Sequence, residues 1–304
     1  MNEDIEQNVE EKVIEIKDEL FKKNSKKSMI FLIPSLIGVL IFFILPFFIV
    51  IYYSFIDNPI NKEFVFLDNF ISVFKNASFQ KAASNTAIFS LISVPLVTVF
   101  SLILAMILNY KIPFKTQFRT IFLCPIMVPI ASVVLIWQVL FHYHGSLNSF
   151  TASFGIAPID WLKSEGSLVV IVIMFMWKNL GYNMILFLAA INNIPREIIE
   201  VADIEGASPF YIFIHLKLRY LSPTILFVTT LSLINSFKIF REVYLLTGEY
   251  PFDSLYMLQH FMNNTFGTLD YQKLSSAAII MAIVVVAVIA ALFIFENKYG
   301  EDVE

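Results

Sequence analysis

Apolar residues fill long, nearly unbroken runs in this chain: 29–53, 82–110, 120–141, 167–194, 220–237 and 274–295. A helix needs about 20 apolar residues to cross a hydrocarbon core of about 30 Å. Five runs meet that length, and the fifth reaches it once Leu216 and Leu218 are counted in. Backbone inside a bilayer must satisfy its own hydrogen bonds, so the runs are predicted to be helices. The expected fold is an all-α membrane protein with six transmembrane helices.

Prolines punctuate the pattern: Pro34 and Pro46 in the first run, Pro95 in the second, Pro125 and Pro129 in the third. Each removes a helical donor, so kinks, or hinges used in gating, are expected there. Before the first run the pattern changes. Ile5, Val9, Val13, Ile16 and Leu20 recur at steps of three and four among Glu and Lys, which suits a solvated tail or a helix lying on the membrane surface. The chain divides into a tail 1–27, a membrane domain 28–296 and a tail 297–304. The first apolar run is too long for a signal-peptide core and has no small-residue cleavage site after it, so it is expected to stay as a span.

Charge in the connections sets the orientation. Lys22, Lys23, Lys26 and Lys27 precede the first run, Lys111, Lys115 and Arg119 follow the second, and Arg196, Lys217 and Arg219 follow the fourth. The opposite connections, 54–81, 142–166 and 241–273, carry the acids, Glu242 and Asp253 among them. Both termini are therefore expected in the cytoplasm. Connection 241–273 contains Gly248, Pro251 and Gly267 and reads as turns.

Composition agrees. Hydrophobic residues make up 58 % and charged residues 15 %, below the about 25 % of a soluble domain. A net charge of −4 gives no nucleic-acid signature, and one cysteine excludes a disulfide framework. No Gly-rich phosphate loop, nucleophile elbow or HExxH helix occurs, so neither catalytic residues nor a cofactor is assigned. His142 and His144 form a His-x-His pair without a third ligand, and no metal site is assigned.

Chemistry concentrates in three stretches. In 192–223, Pro195 can open a helix, Glu197 and Glu200 complement its dipole, Gly206 can end it in left-handed space, and Ser208 with Pro209 can start the next. Two short helices at an angle follow, with Ile198, Ile199, Ala202 and Ala207 inward and the acids outward. The fourth run offers Lys178, Asn179, Tyr182 and Asn183; the fifth offers Thr229, Ser232, Asn235 and Ser236. Asn179 and Asn183 share a helix face. Such neutral donors and acceptors suit either a hydroxyl-rich solute or the bridging of packed helices.

In the loop the chain resembles the inner-membrane permease subunits of binding-protein-dependent ABC importers. Their loop runs Glu-Ala-Ala, two variable residues, Asp-Gly-Ala, then an apolar stretch to Leu-Pro. Here Glu200, Val201 and Ala202, then Glu205, Gly206 and Ala207, then Leu216 and Leu218 occupy those positions. Val201, Glu205 and Arg219 depart from the pattern, and Pro223 is expected to supply the later break. The resemblance spans roughly 28–296 and looks closest to the carbohydrate-uptake branch, the maltose, multiple-sugar and glycerol-phosphate permeases. Asn85–Thr86, Arg119 with Pro125 and Pro129, Trp137, Gly145, Asn148, Trp177, Gly181, Tyr182, Asn183, Phe237, Phe240, Tyr244, Leu246 and Thr247 carry it. That branch often has Gly-Gly-Pro after the threonine; Gly248-Glu249-Tyr250-Pro251 stands here.

The resemblance implies a multi-pass permease of the bacterial cytoplasmic membrane that imports a sugar-type solute, or alternatively a polyol or glycerol phosphate, by alternating access. It implies a cytoplasmic coupling loop over 193–219, with Glu200, Ala202, Glu205, Gly206 and Ala207 engaging separate ATPase subunits. It further implies a second permease subunit in a heterodimer, two ABC ATPases and an extracytoplasmic solute-binding protein. Asn179, Tyr182, Asn183, Ser232 and Asn235 are the residues expected along the solute path. A secondary transporter, the rival, would need carboxylates within the spans, and the six runs hold none.

Overall fold

The computed structural model describes residues 32–110 and 112–300, so the amphipathic pattern of residues 5–20 lies outside the described residues. Helices dominate, and among the described residues pairing between extended segments is limited to one isolated bridge, Ile56 with Phe64. In chain order the helices are α1 (Leu32–Ser54), α2 (Asp68–Lys75), α3 (Ala77–Asn109), α4 (Lys115–Met127), α5 (Ile130–Phe141) and α6 (Ser146–Ala152). Then follow α7 (Ser167–Asn192), α8 (Arg196–Ile204), α9 (209–237), α10 (Phe240–Thr247), α11 (Leu258–Gly267) and α12 (Tyr271–Gly300). Among the described residues, six stretches are long and apolar enough to cross a membrane: Leu32–Ser54, Ala77–Asn109, Ile130–Ala152, Ser167–Asn192, Pro209–Thr247 and Tyr271–Lys298.

The long pair α3 and α7 forms the centre. Phe89 of α3 meets Phe175 of α7 edge to face, 5.5 Å between centroids, and both are fully buried. Hydroxyls join the layers. Ser90 on α3 bonds Ser236 on α9 at 2.8 Å, and Ser101 donates to the Leu180 carbonyl of α7 at 3.1 Å. Small residues let the backbones approach where apolar side chains gain little over lipid. At Gly181 the approach is closest: a Cβ there would overlap the Phe122 carbonyl of α4. By contrast, α1 buries only Ser54 and lies along α12 with its apolar side chains outward.

The prolines act unequally. Pro95, Pro125 and Pro223 lie inside continuous helices, so Pro223 does not break α9 as the sequence suggested. Instead α9 opens with one α-turn and passes through a π-helical stretch, Ile212–Lys217, before the proline. A second π-helical stretch, Leu40–Ile44, precedes Pro46 in α1. The wider turn before Pro46 holds the Phe42 carbonyl that the proline leaves without a donor. Pro129 does break its run. It forces the preceding Val128 into extended backbone, ψ 130°, and the third run becomes α4 and α5 rather than one rod. The fifth run gains length at both ends, from Pro209 to Thr247.

Connection 241–273 differs from the expected turns. It holds α10 and α11, which pack on α5 and α3. Asn85 of α3 fixes it by donating to the Asp253 and Tyr256 carbonyls at 2.6 and 2.9 Å, and Thr86 accepts from the Leu258 amide at 2.9 Å.

Candidate functional site

Two places gather polar chemistry. The first is the loop between α7 and α9. Pro195 caps α8, whose first turn holds Glu197. At its end Gly206 takes φ +80°, and the Ala207 amide returns to the Ala202 carbonyl at 2.9 Å. This is the left-handed helix stop that glycine adopts without a Cβ penalty. Ser208 then accepts from the Tyr211 amide at 3.2 Å and Pro209 opens α9, as the sequence predicts. Ala202 is buried; Ile198, Ile199 and Ala207 are half-buried; Glu200, Glu205 and Gly206 are exposed. Sequence reasoning missed the apolar knobs on this bend. Ile204 is 85 % and Phe210 74 % exposed, with Val201 and Tyr211 beside them. The bend shares its end of the bundle with the end of α3, since Asn109, Asn192, Arg196, Glu200 and Lys217 line one cavity.

The second place is the seam of α7, α9 and α10. Asn235 donates to Asn179 Oδ1 at 3.1 Å, while Asn179 donates to the Phe175 carbonyl at 2.9 Å. Asn183 donates to Ser232 Oγ at 2.9 Å, both deeply buried. The expected path residues therefore divide. Asn183 and Ser232 bridge two helices, Asn179 and Asn235 meet at a cavity wall, and Tyr182 is exposed and joins neither pair.

That cavity, of about 190 Å³, is lined by Lys178, Asn179, Asn235, Lys238, Arg241 and Glu242, with Phe175, Ile126, Ile130 and Ile239. Glu242, expected in an outer connection, is 3 % exposed and ion-paired with Lys178. The charge inside the fourth run thus has its counter-ion in α10. The signal was Lys178 itself, because a cation in a span calls for a partner. Outside the spans, His260 of α11 is buried against Phe240, and burial lowers its pKa from 6.5 to about 4. His142 Nδ1 accepts from the His144 amide at 3.2 Å, so one ring of that pair serves a turn.

Residues 97–299 match the family described as the binding-protein-dependent transport system inner membrane component. The trehalose/maltose transport system permease protein MalF of Thermococcus litoralis is 29 % identical over 286 residues, covering 92 % of this chain and 96 % of its own. The lactose transport system permease protein LacF of Rhizobium radiobacter is 31 % identical, covering 74 % and 76 %. The sn-glycerol-3-phosphate transport system permease protein UgpA of Pectobacterium atrosepticum is 28 % identical, covering 88 % and 93 %. In fold, the chain matches one chain of the crystal structure of a bacterial ABC transporter that imports the acidic polysaccharide alginate. The TM-score is 0.80 at 21 % identity, over 92 % of this chain and 98 % of that one.

Proposed function

Because the chain belongs to the family of binding-protein-dependent transport system inner membrane components, we propose that it is the permease subunit of an ABC importer for a sugar-type solute. The observation that carries this reading is the bend at Gly206. It holds exposed Ile204 and Phe210 at one end of the bundle, on the segment whose pattern resembles the coupling loop of such permeases.

In this reading the positive loops, and with them both termini, lie in the cytoplasm. Two ATPase subunits grip the 193–219 loops of this chain and of a second, different permease, and a solute-binding protein delivers cargo from outside. Glu200 and Glu205 present charge to the ATPase groove, Ala202 and Ala207 keep α8 close to the bundle, and Gly206 sets the angle. ATP binding changes the relative stability of inward- and outward-facing states, and the helices rock between them. Sugar and sugar-derivative systems among the relatives support the solute class. The secondary-transport alternative loses ground to the pairing of Glu242 with Lys178, which leaves that carboxylate engaged.

The test is reconstitution of the transporter with a second permease, an ABC ATPase and a solute-binding protein from the same cell. Uptake of labelled sugars should require ATP, and a cysteine placed at Glu205 should react with a membrane-impermeant reagent only from the cytoplasmic side. Uptake that persists without the ATPase, or labelling from outside, refutes the reading.

A further inference from the structure

We infer that the solute carried past this chain is acidic, a hydroxylated molecule bearing a carboxylate or a phosphate, and that Lys238 and Arg241 meet its charge. The inference rests on the importer reading and names the solute class of the α7–α9–α10 seam.

Three cations, Lys178, Lys238 and Arg241, line the seam cavity against one carboxylate, Glu242. Glu242 is committed to Lys178. Lys238 and Arg241 have no ion-pair partner among the described residues, and both are exposed. Both lie past the end of α9, in the last part of the apolar stretch Pro209–Thr247, where a cation without an acidic partner turns to water or a ligand rather than to lipid. The extended pair Val128–Pro129, just before the candidate span that begins at Ile130, opens the backbone between Ile126 and Ile130, which line this cavity.

The neutral wall fits a hydroxylated ligand. Asn235 spends its amide on Asn179, which leaves its carbonyl oxygen to accept from a solute hydroxyl. A volume of about 190 Å³ falls short of the about 300–1,000 Å³ of a typical small-molecule pocket. The seam is therefore half of a site, open on one side and completed by the second permease. Guanidinium and ammonium donors suit carboxylate and phosphate oxygens alike, Arg241 through a two-pronged contact.

The experiment uses the complete reconstituted transporter and three labelled probes: digalacturonate for the carboxylate, glycerol 3-phosphate for the phosphate and maltose for the neutral case. One acidic probe should enter with ATP and maltose should not; which one enters identifies the anion. K238Q/R241Q should raise the KM for that probe at least about tenfold, as loss of charge-assisted hydrogen bonds implies. K238R with Arg241 intact should preserve it, and K163Q, a cation of connection 142–166, should not change it. Uptake of neither acidic probe, or an unaltered KM in K238Q/R241Q, overturns the inference. So does loss of the second permease from the K238Q/R241Q complex, which would assign these charges to the subunit interface. Acidic uptake that needs Lys238 and Arg241 but not ATP would uphold the charge assignment and overturn the importer reading.

Discussion

Glu242, buried at the start of α10, is held by Lys178 from the middle of α7, so one ion pair ties the centre of the bundle to the segment beyond α9. Removing one member strands the other. K178M leaves a buried carboxylate unpaired, and breaking such a pair costs about 3–5 kcal/mol. A clear fall in the Tm of the detergent-purified protein is expected, largely recovered in K178M/E242L. Equal loss in the single and double variants would show that the pair is not what holds α10.

Gly181 and Gly267 make a matched control for space. A Cβ at Gly181 would overlap the Phe122 carbonyl, whereas at Gly267 nothing lies within 4 Å. G181A must separate α4 from α7 and should lose about 1–3 kcal/mol or fail to accumulate. G267A, at the end of α11, should be neutral or slightly stabilising. Thermal shift on the two variants side by side decides it.

Asn148 organises connection 142–166. It donates to the Tyr143 and Ile159 carbonyls at 2.9 and 2.7 Å and accepts from Trp161 Nε1 at 2.8 Å. Buried groups left unsatisfied cost about 1–3 kcal/mol each. N148A should therefore loosen the connection, seen as a red-shifted Trp161 emission and faster proteolysis at 153–160, with the spans still folded.

Gly206 tests the bend. Its φ of +80° costs an L-residue about 1–2 kcal/mol, and a branched Cβ suffers most. G206V should reduce ATPase co-purification several-fold while the permease still reaches the membrane; G206N should be milder. Wild-type ATPase recovery with G206V would separate the bend from coupling.

His260 gives a pH signature. Burial holds its pKa near 4, below the 6.5 of the unfolded chain, while Nδ1 accepts from the Met257 amide at 3.3 Å. The unfolded state takes the proton first as pH falls. Stability is thus full above pH 6.5 and declines between 6.5 and about 4, by roughly 2 kcal/mol at pH 5. The Tm should drop from pH 7 to pH 5, and the drop should shrink in H260F.

The spans and the Gly206 bend were legible because each depends on local rules: run length, capping hydroxyls and the freedom of glycine. Ser208 and Gly206 do in space what their neighbours in the chain suggest. The seam was not legible in the same way. Glu242 belongs by composition to an outer connection, and nothing local says that α10 folds back to meet Lys178. Likewise, Asn183 and Asn179 look alike in the sequence and both face α9, yet one is sealed against Ser232 while the other, one turn away, reaches the cavity that Lys238 and Glu242 line. Pro125, Pro129 and Pro223 carry the same signal with different outcomes. Pro223 stays inside the α-helical part of α9, whereas Pro129 tips Val128 out of the helix.

The two-residue interruption at Val128–Pro129 has a mechanical consequence. A continuous rod conveys torque along its whole length, but an extended dipeptide transmits tension and little twist. A push on the Lys115 end of α4 meets α7 at Gly181, which leaves no slack, while α5 bears on α7 and α10 together through Val133, Val134 and Trp137. The third run therefore turns a corner at this dipeptide, and its two halves brace α7 at separate points, α4 at Gly181 and α5 at Trp177.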